Sequence, residues 1–315
     1  MPPTSGFQAT IAYRWLHSDR MFSHDVEQTQ REVESSQEIN DSNFIDLGIT
    51  YAFNPRFSAT LTIPFAVNDR SQVVRAFDVQ RTILGRFHTG AAGLADLRLE
   101  GNAWLLNPAT HMKGNVLLGV GFSAPTGDRD AQDTFLVPAF GSSTPVAQRH
   151  AVDQSIQLGN GGWGVVLDLY AYREIVPRLS AFLNGSYTIT PEERYSPTAS
   201  LFGDYSIADS YQGRGGFEYL LWPRYSLSFS LAGRIDGVPV NDLVGGSDGF
   251  RRPGYSVSIE PGVSLAYKEW SFSVNTPVAL YRTREQSISE KAAGIDPIAA
   301  GFADFIVTCS VMKRF

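Results

Sequence analysis

Apolar and polar residues alternate one for one along most of this chain. Between residues 6 and 17, Phe7, Ala9, Ile11, Tyr13 and Trp15 share one face, and Gln8, Thr10 and Arg14 share the other. Near 44–54, Ile45, Leu47, Ile49, Tyr51 and Phe53 oppose Asp46 and Thr50, and Asn54-Pro55-Arg56 then makes a tight turn into 57–65. Side chains of a strand point to opposite faces in turn, so a period of two marks strands with one apolar and one polar side. The same pattern recurs near 94–106, 114–124, 163–173, 179–190, 209–222, 225–236, 254–267, 270–282 and 302–315, giving about twelve strands.

The connections follow a pattern of their own. Short ones fall near 54–56, 107–113, 174–178, 222–224 and 268–269; long ones fall near 18–43, 66–93, 125–162, 191–208, 237–253 and 283–301. They alternate without exception, as twelve antiparallel strands with both ends on one side require. A soluble β-sandwich, the alternative all-β fold, gives no reason for this alternation. The expectation is an all-β protein: a single transmembrane antiparallel β-barrel spanning 1–315, with short periplasmic turns and long extracellular loops. Its outward face meets lipid and its inward face is polar.

Composition fits that picture. Only 43% of the 315 residues are hydrophobic, and no run approaches the roughly 18 apolar residues of a membrane helix. A barrel spreads its apolar content over every second residue. The 20 Phe and 13 Tyr suit aromatic girdles at the membrane interfaces, and the 29 Gly suit turns and close strand packing. Net charge is -6 without a basic stripe, which excludes nucleic acid as the expected partner. The lone Cys309 rules out an internal disulfide and a multi-cysteine metal site. Met1-Pro2-Pro3 leads straight into the first strand, so the sequence reads as a mature chain whose export signal has been removed. The expected location is the bacterial outer membrane.

Three segments carry a family resemblance. Gly93-Leu94-Ala95-Asp96-Leu97-Arg98-Leu99 is similar to a Gly-x-Gly-Asp strand opening, with Ala95 in place of the second glycine. Ser123-Ala124-Pro125-Thr126-Gly127-Asp128 resembles a Pro-Thr-Gly-Asp strand exit. Gln157-Leu158-Gly159-Asn160-Gly161-Gly162-Trp163 resembles a Gly-x-Gly re-entry. All three resemble the outer-membrane family of the meta-pathway of phenol degradation. The resemblance implies a transporter-like barrel that takes up hydrophobic, often aromatic, compounds. It supplies no binding residues.

Candidate chemistry is concentrated on the inward face. By parity that face holds Arg14, Asp46, Asp96, Arg98, Glu100 and Asp168, then Arg214, Glu218, Arg234, Asp236, Glu260 and Asp304. Signs alternate within strands, which favours ion pairs across neighbouring strands over a selectivity filter with separated charges. Trp104, Tyr170, Tyr172 and Tyr281 are expected to narrow the lumen further. Asp128, Asp130 and Asp133 crowd one loop and offer oxygen ligands for Ca²⁺, although not at EF-hand spacing; a solvated acidic loop is the plainer account. Gly159-x-Gly161-x-x-Gly164 matches the dinucleotide fingerprint in letters, but it precedes a strand instead of opening a helix. His17-Ser18-Asp19 lies at the outer end of the first strand, whereas His24, His88, His111 and His150 fall in loops or turns. A lipid hydrolase needs a Ser–His pair on adjacent strands, and sequence neighbours on a strand point apart.

Two loops contain apolar runs, Phe135-Leu136-Val137-Pro138-Ala139-Phe140 and Ile295-Asp296-Pro297-Ile298-Ala299-Ala300. Such runs call for a lumen to fold into or a cell-surface protein to bind. The function expected is passive passage of a small apolar or aromatic compound, with no covalent chemistry and no cofactor. A scaffold barrel whose loops bind a protein partner is the first rival, and an outer-membrane lipid hydrolase the second. The outer-membrane lipid and the barrel insertion machinery are further expected partners. Phe315 occupies the place of the terminal aromatic that, in barrels of this kind, forms part of the assembly signal. Deleting Phe315 is therefore expected to lower the yield of folded barrel in membranes, measured by heat-modifiable gel mobility; an unchanged folded fraction would remove that role.

Overall fold

A computed structural model describes residues 5–140, 142, 144–201 and 203–315. The opening Met1-Pro2-Pro3 lies outside the described residues. Twelve antiparallel strands close into a barrel. In chain order these are β1 (Gly6–Ser18), β2 (Ile39–Ala52), β3 (Phe57–Arg75), β4 (Ile83–Leu94 continuing as Leu97–Trp104), β5 (Gly114–Ala124) and β6 (Gly164–Val176). There follow β7 (Leu179–Ile189), β8 (Ser210–Trp222), β9 (Leu227–Val238), β10 (Gly254–Tyr267), β11 (Trp270–Asn275 continuing as Val278–Arg284) and β12 (Phe305–Arg314). Each strand pairs with the next, and β12 returns to β1 from Gln8↔Arg314 to His17↔Phe305. Closure leaves no strand edge to face lipid. Among the described residues no helix is long and apolar enough to cross a membrane; this chain crosses with strands.

Local chemistry sets the short turns. The Asn54 side chain accepts from the backbone N–H groups of Arg56 and Phe57 at 2.9 and 3.1 Å, and so holds the reversal between β2 and β3. The β10–β11 turn places Lys268 at φ 56°, a left-handed conformation that a tight two-residue hairpin demands.

The structure corrects the expected elements in three places. The long loop expected at 66–93 is mostly strand: β3 runs on to Arg75 and β4 begins at Ile83, so a hairpin projects beyond the membrane. Its polar run Asn68-Asp69-Arg70-Ser71-Gln72 lacks alternation because both faces are out of lipid there, while backbone pairing continues regardless. His88 accordingly sits on a strand. Tyr225 belongs to a 3₁₀ turn, Pro223–Tyr225, and β9 starts two residues later. In β11 the register shifts: Val257 pairs with Tyr281, but Ser258 pairs with Ala279. Leu280 is the extra residue of this bulge, which reverses the parity beyond it. Tyr281 therefore faces outward, its ring tilted against that of Tyr255 with centroids 5.9 Å apart, contrary to the lumen position expected for it. Arg282 and Arg284 turn inward and are buried.

Buried apolar clusters lie at the loop end. One joins Ala66 and Ala91 of the wall to Val152, Ile156 and Leu158 of the β5–β6 loop; another joins Val74 and Phe87 of the projecting hairpin to Phe135. Between strands the apolar residues point out. Leu231, in the middle of β9, is 44% exposed, whereas the hydroxyl of neighbouring Ser230 lies against Gly262 on the inner face. Arg at position 231 is expected to cost about 2–4 kcal/mol near the bilayer midplane, and Arg at 230 to cost less. A refolding titration in lipid checks this; equal losses for Leu231→Arg and Ser230→Arg would show the faces to be reversed.

Candidate functional site

The β5–β6 loop, residues 125–163, folds into the barrel mouth. Its 3₁₀ turn Gln154–Ile156 carries Asp153 as N-cap, with the carboxylate accepting from Ser155 N at 3.0 Å. Val152 and Ile156 are fully buried. This plug is tied to the wall and to the β7–β8 loop: Asn68 Nδ2 donates to Ile156 O at 3.2 Å, Gln154 Nε2 to Ser206 O at 2.8 Å and Tyr205 Oη to Val152 O at 3.0 Å. Asp153 supplies the strongest tie. Arg252, on the β9–β10 loop, grips it with two parallel hydrogen bonds of 2.7 and 2.8 Å, and Arg70 of β3 stands 3.7 Å away. Burial alone would push the Asp153 carboxyl up. The Arg252 and Arg70 guanidiniums outweigh it and hold the group well below the usual carboxylate range.

The residues that carry the plug were partly misplaced by sequence reasoning. Phe135 packs on the projecting hairpin, at 5.5 Å from Phe87, and Phe140 is 95% exposed, so the apolar run 135–140 does not enter the lumen. The occluding residues are Val152–Leu158, where single apolar residues between polar ones gave no apolar run to notice. From the other run, Ala300 is buried and lines the chamber below the plug with Gly301 and Phe302.

The plug is fixed at its base by Asp96. This residue lies where β4 breaks, and its oxygens accept from Gly127 N at 2.9 Å and Asn160 N at 2.7 Å. The three segments with a family resemblance thus meet at one carboxylate. Glycine is required here, because a Cβ on Gly127 would come within 2.6 Å of Leu158 O, and one on Gly159 within 2.7 Å of Gly127 O. Asp96 is a clamp at the loop base, not one half of a lumen ion pair.

Below the plug are two overlapping cavities of ≈ 460 and ≈ 510 Å³. They share Arg98, Ser155, Thr188, Ser210, Val238, Arg252, Gly301 and Phe302. The lower one also reaches Arg14, Arg234, Asp236 and Asp304. Several expected lumen residues are brought together at this level. Glu260, 2% exposed, bridges Arg214 and Arg234, the latter at 3.1 Å. Arg234 also forms a bidentate pair with Asp236, both bonds 2.7 Å. Glu218 accepts from Ser264 at 3.2 Å. Asp304 takes Arg20 at 2.9 Å and also Arg282, the latter delivered by the bulge that parity could not reveal. Asp46 sits on β2 diagonally across from Arg14 on β1. Glu100 and Asp168 lie against Gly121 and Gly119 of β5, whose missing side chains make room for them. Nearer the turns, Trp104, Tyr170 and Tyr172 form an aromatic cluster with centroids 6.0–6.2 Å apart.

The remaining candidates disperse. Asp128 caps the Asp130 backbone N–H at 2.9 Å, Asp130 accepts from Thr198 N at 2.6 Å and Asp133 from Gly90 N at 2.8 Å. Each carboxylate serves a different loop junction, and among the described residues no three His, Cys, Asp or Glu side chains converge. His17 does have an orienting acid, Asp41, at 2.8 Å, and His88 is similarly held by Asp69 at 2.8 Å. Ser18 is buried on the opposite face, taking a hydrogen bond from Asn40 at 3.3 Å, and among the described residues the His17 ring bonds to Asp41 and to no hydroxyl. Gly161, at φ 101°, abuts the Tyr195 ring and opens no helix.

No family model and no curated protein matches this chain. Solved structures do. An outer membrane channel from Pseudomonas putida F1 superposes with a TM-score of 0.61 at 11% identity, covering 99% of this chain and 96% of that one. The translocator domain of the autotransporter NalP from Neisseria meningitidis gives 0.48 at 10% identity, covering 98% and 88%. The Pseudomonas putida toluene transporter TodX gives 0.47 at 8% identity, covering 98% and 90%. The P. putida channel shows that the fold is that of an outer-membrane β-barrel.

The Asp153 clasp has a defined pH range. A carboxylate whose folded pKa is depressed contributes its full stabilisation above its unfolded value, about 3.9, and loses it only as pH falls through the lower folded value. The plug is therefore expected to stay seated from pH 8 down to pH 5. Asp153→Asn leaves two guanidiniums facing each other, a loss of about 3–5 kcal/mol for a broken buried pair. The variant is expected to expose the 125–163 loop to protease at pH 7 while the barrel stays heat-modifiable. An equally resistant loop would show that the clasp does not hold the plug.

Proposed function

We propose that this chain is a channel of the bacterial outer membrane for passive passage of small apolar or aromatic compounds, as its resemblance to the phenol meta-pathway proteins suggests. One observation carries the reading: the lumen is not filled by side chains but holds a chamber of ≈ 510 Å³ roofed by a single pinned loop. A chamber of this size lies in the range of small-molecule sites, about 300–1,000 Å³. A loop-end groove of ≈ 890 Å³ has an apolar side of Val74, Phe77, Phe87, Phe135 and Leu201 facing a polar rim that includes Arg31, Glu34, Arg75 and Arg81, and the apolar side offers such a compound a place to collect before entry. Passage requires the plug to shift and needs no covalent step. Similarity to a P. putida channel adds support for the channel class over an enzyme.

A scaffold role is the second reading, favoured by the exposed loop residues Val33, Phe77, Val79 and Phe140, which suit a cell-surface protein partner. Planar-bilayer recording separates the two. The intact protein is expected to show small or absent conductance, rising several-fold when residues 130–155 are deleted. A large, steady conductance from the intact barrel would point to a general diffusion pore, and silence from both forms to the scaffold.

A further inference from the structure

The guanidiniums of the lumen fall into two classes. Arg20, Arg70, Arg214, Arg234, Arg252 and Arg282 each have a carboxylate within 4.0 Å. Arg14 and Arg98 have none among the described residues, and neither makes a hydrogen bond. Arg14 lies over the Phe44 ring, 4.4 Å from its centroid. Arg98 is exposed to the lumen. Both open onto the same chamber beneath the plug. Their charged surroundings are mixed: Arg14 feels Asp46 and Asp236 as well as Arg234 and Arg98, and Arg98 feels Asp96 and Glu100; Asp236 is already engaged by both nitrogens of its Arg234 fork, and Asp96 by the N–H groups of Gly127 and Asn160. A guanidinium without a carboxylate partner keeps its full donor set and its attraction for anions. The rest of the wall supplies hydroxyls from Ser155, Thr188 and Ser210 and an apolar side from Leu16, Phe44 and Ile306.

Resting on the channel reading above, we propose that this chamber is a site for small aromatic monocarboxylates, with Arg14 and Arg98 taking the carboxylate and the Phe44 side taking the ring. A guanidinium fork matches a carboxylate in two parallel hydrogen bonds. A neutral hydrocarbon would leave both forks unpaired, so the chamber discriminates between the two kinds of aromatic.

Calorimetry on the purified full chain in detergent tests this with benzoate and its neutral counterpart benzamide. Benzoate is expected to bind about tenfold tighter, a modest return for charge-assisted hydrogen bonds. The Arg14→Gln/Arg98→Gln double variant is expected to lose that preference while benzamide binding stays within about twofold. Equal affinities in the unmodified protein, or a preference that survives in the double variant, overturn the proposal. Should the double variant not fold by heat-modifiable mobility, Arg98→Gln alone serves, since among the described residues that side chain makes no ion pair; an unchanged preference there, or equal affinities in the unmodified protein, is again negative. Uptake of labelled toluene and benzoate by Gram-negative cells with and without the protein distinguishes the levels. Toluene uptake without benzoate preference removes this site and leaves the channel; uptake of neither removes the channel reading itself.

Discussion

Backbone pairing in lipid is the constraint on which everything else here depends. Inside a bilayer an unpaired N–H or C=O has no water to turn to and costs several kcal/mol. The ten residue pairs that join β1 to β12, from Gln8↔Arg314 to His17↔Phe305, satisfy the last such row and turn a sheet into a tube. Side chains then have only two directions. The outward set is apolar because it must be, and the inward set is free to be chemical. The aromatic residues near the turns and the charged residues of the waist occupy positions that this geometry leaves open.

At the mouth a different rule applies. The loops are outside the hydrocarbon, so polar ties can hold them, and this protein buries charge among them. Arg252 and Arg70 converge on Asp153, Arg251 pairs with Asp242 and Arg284 with Glu290; at the waist Glu260 draws together Arg214 and Arg234. Ion pairs of this sort add little net stability against an apolar substitute, but losing one partner is expensive. They fix geometry more than they add energy. The plug is held in one place while the chamber below it stays open.

Much of this was legible from residue order. Alternation such as Leu227, Phe229 and Leu231 against Ser228 and Ser230 reports a strand and its faces directly, and loop lengths report which end is which. Where lipid stops, so does the signal: the outer halves of β3 and β4 lay one face against the β5–β6 loop, and polar residues such as Arg70, Ser71 and Thr89 are buried there beside Val74 and Phe87, so no alternation is left to read. The bulge at Leu280 is invisible for a related reason, since one extra residue reverses parity without changing composition, and it hid Arg282 and Arg284. A loop folded into the lumen was expected but its residues were misplaced, because Val152, Ile156 and Leu158 are separated by polar residues whose partners, Ser206 and Arg252, are distant in sequence. Asp96 was placed on the correct face but given the wrong task, because parity tells where a side chain points and not which backbone N–H groups wait there.

The clamp at Asp96 makes residues between Gly127 and Asn160 a lobe with its own closed neck. Ring-closure entropy grows only with the logarithm of loop length, and here the ends are joined by the clamp itself, whatever lies between them. Away from the Asp153 seat the lobe meets the barrel strands at the hairpin that projects beyond the membrane, where Phe135 packs on Val74 and Phe87 and Asp133 accepts from Gly90 N. Descent with modification therefore has a region to rewrite, by insertion, deletion or wholesale exchange, without renegotiating how the tube assembles. A lineage of such barrels is expected to diverge fastest within this lobe and to retain the carboxylate and two glycines at its neck, so that changes in what is admitted evolve separately from the ability to enter a membrane at all.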